Sequence, residues 1–79
     1  MPTVRYFAAA AEAAGTEQEQ VVAADLGSLI DDLVSRHGGE LRRVLDRSSL
    51  LHQGRYVTDR THALGEDTVV DVLPPFAGG

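Results

Sequence analysis

The sequence predicts a small α+β domain, a mixed sheet with one main helix packed across it. Two strand-like runs lie near the two ends, Thr3-Val4-Arg5-Tyr6-Phe7 and Thr68-Val69-Val70-Asp71-Val72-Leu73. Between them Leu29, Ile30, Leu33 and Val34 recur at i, i+1, i+4 and i+5, which makes one apolar stripe on a helix. The chain has 79 residues. That suits a single domain, which buries roughly 60% of its unfolded surface in one core and leaves no room for a deep active-site cavity.

The elements follow in order. Thr3 to Phe7 alternates and is β-branched or aromatic, so it reads as a first strand. Ala8 to Ala14 is alanine-rich and favours a short helix, stopped by Gly15. Glu17 to Ala23, with Val21-Val22 at its centre, reads as a second strand pairing back on the first. Asp25 or Ser28 caps the main helix, and Asp31 and Asp32 fall in its first turns, where acids suit the helix dipole. His37 closes its last turn, and Gly38-Gly39 end it. Glu40 to Asp46 adds a short helical turn through Leu41, Val44 and Leu45. Ser49 to Gln53 reads as a strand, and Gly54 turns it into a short partner, Arg55-Tyr56-Val57. Thr58 to Gly65 is a polar connection before the last strand. This order is that of a β-grasp, or ubiquitin-like, architecture, with the first and last strands parallel in mid-sheet. The expected division is a domain over 1–74 and an extended Gly-Gly tail over 75–79.

Composition excludes several functions. The chain has no cysteine, so a disulfide, a thiolate metal ligand or a cysteine nucleophile is ruled out. All seven basic residues are Arg, and without lysine the side chains offer no amine as acyl acceptor. A net charge of −5 disfavours nucleic acid and anionic membrane as partners. The apolar stretches are too short to span a bilayer, and no charged-then-apolar leader precedes the first strand, so the expected location is cytoplasmic.

The polar motifs read as structural. His37, His52 and His62 match no metal-ligand spacing: His37 suits a helix C-terminus, and His52 suits a partly buried strand. No Gly-x-Ser-x-Gly surrounds Ser28, Ser35, Ser48 or Ser49, and the Gly27-Ser28 and Gly38-Gly39 pairs, followed by no Gly-Lys-Ser/Thr, are turn and cap residues.

Strand parity is more informative. If Val4, Tyr6, Val70 and Val72 face the helix, then Arg5, Phe7, Val69, Asp71 and Leu73 face outward. On adjacent strands, Phe7 and Leu73 then lie together, Arg5 and Asp71 pair beside them, and Leu51 joins from the next strand. Such an apolar patch is a docking surface. The competing arrangement packs Phe7 under the Ala8–Ala14 segment. Beyond the last strand, Pro74-Pro75 impose a stiff extended path, Phe76 is the one large apolar group, and Ala77 precedes Gly78-Gly79. Two glycines make a thin tether that enters a passage too narrow for any Cβ, with a main-chain carboxylate as its only functional group.

These residues resemble the MoaD/ThiS-type sulfur carriers, most of all MoaD, the small subunit of molybdopterin synthase. The matching segments are Val4-Arg5-Tyr6-Phe7-Ala8 with Glu12 and Gly15, and Asp67 through Gly79. Ala11 stands where many relatives carry Arg, a departure that bears on partner identity. The resemblance implies that an E1-like adenylyltransferase of the MoeB/ThiF type uses ATP and Mg²⁺ to adenylate Gly79. A sulfurtransferase then exchanges AMP for sulfur. The resulting thiocarboxylate serves a MoaE-type large subunit, where cyclic pyranopterin monophosphate receives the sulfur. Under that expectation Gly79 is the reactive group, Gly78 gives clearance, and Phe76, Pro75, Ala77, Leu73, Phe7 and Leu51 contact partners. The chain itself binds no cofactor and catalyses nothing alone. The same chemistry serves thiamine, cysteine or another acceptor in related carriers, and ubiquitin-like modifiers pass the activated glycine to a lysine.

Overall fold

The computed structural model describes residues 1–75. The elements run β1 (Thr3–Tyr6), α1 (Ala9–Ala14), β2 (Gln18–Gln20), α2 (Leu26–His37), α3 (Gly39–Arg47), β3 (Ser49–His52), β4 (Arg55–Tyr56) and β5 (Val69–Leu73). They build one mixed sheet in the order β2-β1-β5-β3-β4, the β-grasp arrangement. β1 and β5 are parallel neighbours, with Val4 opposite Val70 and Tyr6 opposite Val72. The other pairings are antiparallel.

The inward side chains of β1 and β5 are Val4, Tyr6, Val70 and Val72, and all four are buried. They meet Leu26, Leu29 and Leu33 of α2, Leu41 and Leu45 of α3, and Ala10 of α1 in one core, closed by Val21 and Leu64. Ile30 and Val34 pack at its margin, so the stripe read from the sequence does face the sheet. Full burial of each Leu or Val contributes about 1.5–3 kcal/mol.

Of the two caps left open for α2, Asp25 is the one used: its Oδ1 accepts the Ser28 amide at 2.8 Å, and the helix begins at Leu26. Four local expectations need correction. Asp31 and Asp32 lie beyond the first turn and hold side chains instead of the helix dipole. Asp31 binds Arg60 at 2.9 Å, and Asp32 lies 2.8 Å from Arg36 one turn on. Gly27 is buried inside α2 instead of forming a turn. Its amide donates to the Arg60 carbonyl at 2.8 Å, and a Cβ there would sit 3.1 Å from that oxygen. The Glu40–Asp46 segment is a full nine-residue helix. The second strand covers only Gln18–Gln20, since Val21 turns inward to cap the core while Val22 stays exposed.

Both sheet edges are short. On β2 the Gln18 carbonyl accepts the Thr16 hydroxyl at 3.0 Å, and the Gln20 carbonyl accepts Arg36 at 3.3 Å. These side chains occupy acceptors that would otherwise invite another strand.

Leu29→Ala removes a fully buried side chain from the middle of α2. It is expected to cost about 2–5 kcal/mol of unfolding free energy in urea titrations, with far-UV circular dichroism unchanged at zero denaturant.

Candidate functional site

The sheet face away from the helices is uncovered by any described element. One row of residues crosses all five strands on it. Gln18 pairs with Arg5, Arg5 with Asp71, Asp71 with Leu51, and Leu51 with Tyr56. The next step along β5 brings Leu73 opposite Ser49. Phe7, at the end of β1, donates its amide to the Val72 carbonyl at 3.2 Å.

The charged pair sits in the centre of this row. Arg5 Nε lies 2.6 Å from Asp71 Oδ1, and Arg5 Nη2 lies 2.8 Å from Oδ2. The guanidinium also stacks over the Phe7 ring, with its Cζ 5.8 Å from the ring centre. Phe7 therefore belongs to the open face and does not pack under α1. Ala8 makes this work. Its backbone takes φ 51° and ψ −125°, which sends α1 to the core side while Phe7 stays outside. A non-glycine residue in that region carries strain, and the small methyl of Ala8 keeps it tolerable.

Phe7 is 40% exposed, and Leu51 and Leu73 are half-buried beside it. The structure thus brings together Phe7, Leu51 and Leu73 with the Arg5–Asp71 pair, on the face that leads into Pro74 and the exposed Pro75. The expectations for Phe76, Ala77, Gly78 and Gly79 lie outside the described residues. Two further apolar groups on the face, Tyr56 (74% exposed) and Val69 (40% exposed), were not among the candidates. A signal for Tyr56 does exist in the sequence: the two-residue Gln53-Gly54 turn sets Leu51 opposite Tyr56, so both share one face.

Behind the sheet, β1 is held by a polar cluster that sequence reasoning missed. Glu19 alternates onto the helix side of β2, opposite Val4. Its carboxylate accepts the Tyr6 hydroxyl at 2.5 Å and Arg36 at 3.1 Å, and His37 Nε2 lies 2.5 Å away. Burial alone pushes the Glu19 carboxyl up. The bonds from Tyr6, His37 and Arg36 outweigh it and hold the group below the ordinary carboxylate value. Burial first, then the bond to Glu19, pushes the Tyr6 hydroxyl well above its usual range. His37 thus ties the end of α2 to the sheet as well as lying at a helix C-terminus. Among the described residues no group of three or more His, Cys, Asp or Glu is placed to hold a metal ion, and no helix is long and apolar enough to cross a membrane.

A compact β-grasp unit with an open apolar face beside its last strand is the form of a small carrier or modifier protein. A model of the ThiS family matches residues 4–79, and the chain belongs to that family. It is accordingly a sulfur carrier or ubiquitin-like small protein of the ThiS/MoaD kind. Among curated proteins none matches the chain. Among solved structures it is similar to SAMP1 from Haloferax volcanii, at 27% identity and a TM-score of 0.83, covering 99% of this chain and 98% of that one. It is also similar to a putative molybdopterin converting factor, subunit 1, from Pyrococcus furiosus. There the identity is 27% and the TM-score 0.81, over 94% of this chain and 95% of that one. The complex of subunits 1 and 2 of molybdopterin-converting factor from Helicobacter pylori matches at 23% identity and a TM-score of 0.75, over 99% and 97% of the two chains. At that identity the likeness is one of fold.

The depressed Glu19 carboxyl has a definite pH signature. A group lowered on folding stabilises the native state above its unfolded value and loses that contribution as pH falls through the folded one. Glu19→Gln is expected to be less stable than the parent at neutral pH. The gap should close as pH falls below the ordinary carboxylate value of 4.5, read by urea denaturation at a series of pH values.

Proposed function

We propose that this chain carries sulfur on Gly79 as a thiocarboxylate and delivers it to cyclic pyranopterin monophosphate in molybdopterin synthesis. The observation that carries the reading is the family match. It extends through Gly79, on a chain whose fold is shared at 27% identity with a putative molybdopterin converting factor subunit. The open apolar face beside β5 supports it, because a carrier needs a recognition surface next to its reactive end.

The chemistry follows from the weakness of a carboxylate as an electrophile. In the proposed cycle an oxygen of the Gly79 carboxylate attacks the α-phosphorus of ATP on an E1-like partner, and pyrophosphate leaves with Mg²⁺ assistance. A persulfide sulfur of the sulfurtransferase then attacks the acyl carbon, and AMP departs to leave an acyl disulfide. A second thiol of the sulfurtransferase system attacks the donor sulfur, so that the thiocarboxylate leaves and a disulfide remains on the donor. Docked on a MoaE-type large subunit, two carriers in turn complete one dithiolene. This chain contributes the docking groups Phe7, Leu51, Leu73, Pro75 and Phe76, the spacer Ala77 and Gly78, and the reacting Gly79. Acids, bases and oxyanion donors come from the partners.

A second reading is favoured by the comparable likeness to SAMP1, a small archaeal modifier protein by name. On that reading the activated Gly79 forms an amide with a target lysine. The two readings part at the same experiment. Incubation with a co-encoded activating enzyme, ATP, Mg²⁺ and a sulfur source is expected to exchange one terminal oxygen for sulfur, seen by intact mass. Deleting Gly79, or adding one residue after it, is expected to abolish the exchange with the fold intact. Lysine-linked adducts without any thiocarboxylate would instead establish the modifier.

The docking face yields a separate expectation. Phe7→Ala should weaken binding to the large synthase subunit by about 1–3 kcal/mol in calorimetric titration. Thermal stability should hardly change, because the ring lies outside the core. Unchanged affinity would remove Phe7 from the interface.

A further inference from the structure

The fold brings two histidines together that their sequence spacing keeps apart. His52 Nδ1 lies 2.8 Å from His62 Nε2, and the rings meet edge to face with centres 5.1 Å apart. Both residues are partly buried. Neither residue takes part in the carrier chemistry or in the apolar row.

Each backbone position is fixed independently. His52 ends β3 and is paired on both sides, with Val70 of β5 and Arg55 of β4. His62 sits in the connection before β5. Its carbonyl accepts the Leu26 amide at 3.0 Å, and its own amide donates to the Asp59 carbonyl at 3.0 Å. Residues flanking it are held as well: Ala63 bridges to Asp25, and the Leu64 amide donates to the Ala24 carbonyl at 2.9 Å. Two anchored segments thus present one ring nitrogen each to the same point.

We propose that His52 and His62 form a two-imidazole binding site for a borderline divalent transition metal, Cu²⁺ above Zn²⁺. Two imidazoles bound at right angles with metal–nitrogen bonds of about 2.0–2.1 Å stand about 2.9 Å apart. The observed separation therefore already suits the ion, and both rings tilt to turn their facing nitrogens from each other toward it. In the free protein one ring donates its N–H to the lone pair of the other. Binding also asks that donor to carry its proton on its other ring nitrogen, so that after the tilt both lone pairs face the metal and no net proton is lost. No third His, Cys, Asp or Glu joins the pair among the described residues, so water fills the remaining positions. Cu²⁺ accepts such a cis nitrogen pair in a tetragonal set and heads the affinity order for nitrogen ligands. The bound ion staples the 58–64 connection to β3, and so stabilises the fold by mass action.

The test uses the full chain and Cu²⁺ alone in a non-coordinating buffer. A single saturable site is expected, with imidazole nitrogen hyperfine structure in electron paramagnetic resonance. His52→Gln and His62→Gln should each weaken it by roughly tenfold or more. His37→Gln should leave it unchanged, because His37 lies at the far end of α2, about 18 Å of helix away. Paramagnetic broadening of amide signals in the parent protein should centre on residues 52 and 62. Full affinity in both Gln variants, or broadening centred on His37 or on the amino terminus, would overturn the site. If either variant fails to fold, the broadening map of the parent decides.

Discussion

The parallel pairing of β1 with β5 is the constraint on which the rest of the structure depends. It joins residues 66 positions apart, as in the Arg5–Asp71 contact, and it occupies the centre of the sheet. Closing so long a crossover is entropically costly, and the compensation comes from one place. Val4, Tyr6, Val70 and Val72 present a continuous apolar surface, and α1, α2 and α3 all lie within the crossover that this surface must hold. The same pairing fixes the opposite face. Once Val4 lies against Val70, Arg5 has to meet Asp71, and Phe7 has to stand beside the end of β5. Core and open face are thus two sides of one register, and a slip by one residue would exchange them.

Polar contacts refine this arrangement without driving it. The Arg5–Asp71 pair is solvent-exposed, so its worth is orientation more than stability. It holds the guanidinium over Phe7 and keeps a charge pair in the middle of the row, beside Leu51 and Tyr56. On an open face, such a pair keeps the surface hydrated while leaving Phe7, Leu51 and Leu73 accessible. The Glu19 cluster does the corresponding work on the helix side. Tyr6, His37 and Arg36 converge on one carboxylate and so fix the end of α2 against β1 and β2. The Arg36 guanidinium, which also caps the Gln20 carbonyl, closes the β2 edge in the same stroke.

What the sequence revealed, and what it hid, follows from the range of the interactions. Alternation and helical periodicity are local, so β1, β5, the α2 stripe and the outward set Arg5, Asp71 and Leu73 were legible. The choice between Phe7 on the open face and Phe7 under α1 was not. It rests on the backbone of Ala8, whose φ of 51° no propensity suggests for alanine. The choice between Asp25 and Ser28 as the cap of α2 stayed open, because the amides of Leu26 and Gly27 in its first turn are satisfied from outside the helix. Their partners, the carbonyls of His62 and Arg60, come from a loop more than thirty positions away. Glu19 read as a polar strand start for the same reason: Tyr6 and Arg36 become its neighbours only after folding. The histidines show the limit most plainly, since a spacing of ten residues matched no ligand pattern, yet a strand and a pinned loop place the two rings in contact.

The division between recognition and reaction imposes a length. If sulfur travels on Gly79, the six residues from Pro74 through Gly79 can span at most about 20 Å from the end of β5. A partner must therefore place its catalytic groups within that distance of the surface that receives Phe7 and Leu73. Proline at 74 and 75 makes the first part of the span stiff, because each ring fixes φ and neither residue can donate to a strand ladder. Stiffness lowers the entropy lost when the tail is threaded, so more of the docking energy is available for holding the reactive carbonyl in place. On the proposed function, the glycines at 78 and 79 have the opposite requirement: their value would lie in having no Cβ where an adenylating enzyme and a sulfur acceptor each approach the same carbonyl. A rigid face, a stiff spacer and a bare end are three different physical demands. The order Leu73-Pro74-Pro75-Phe76-Ala77-Gly78-Gly79 meets them in the sequence in which a docking partner would encounter them.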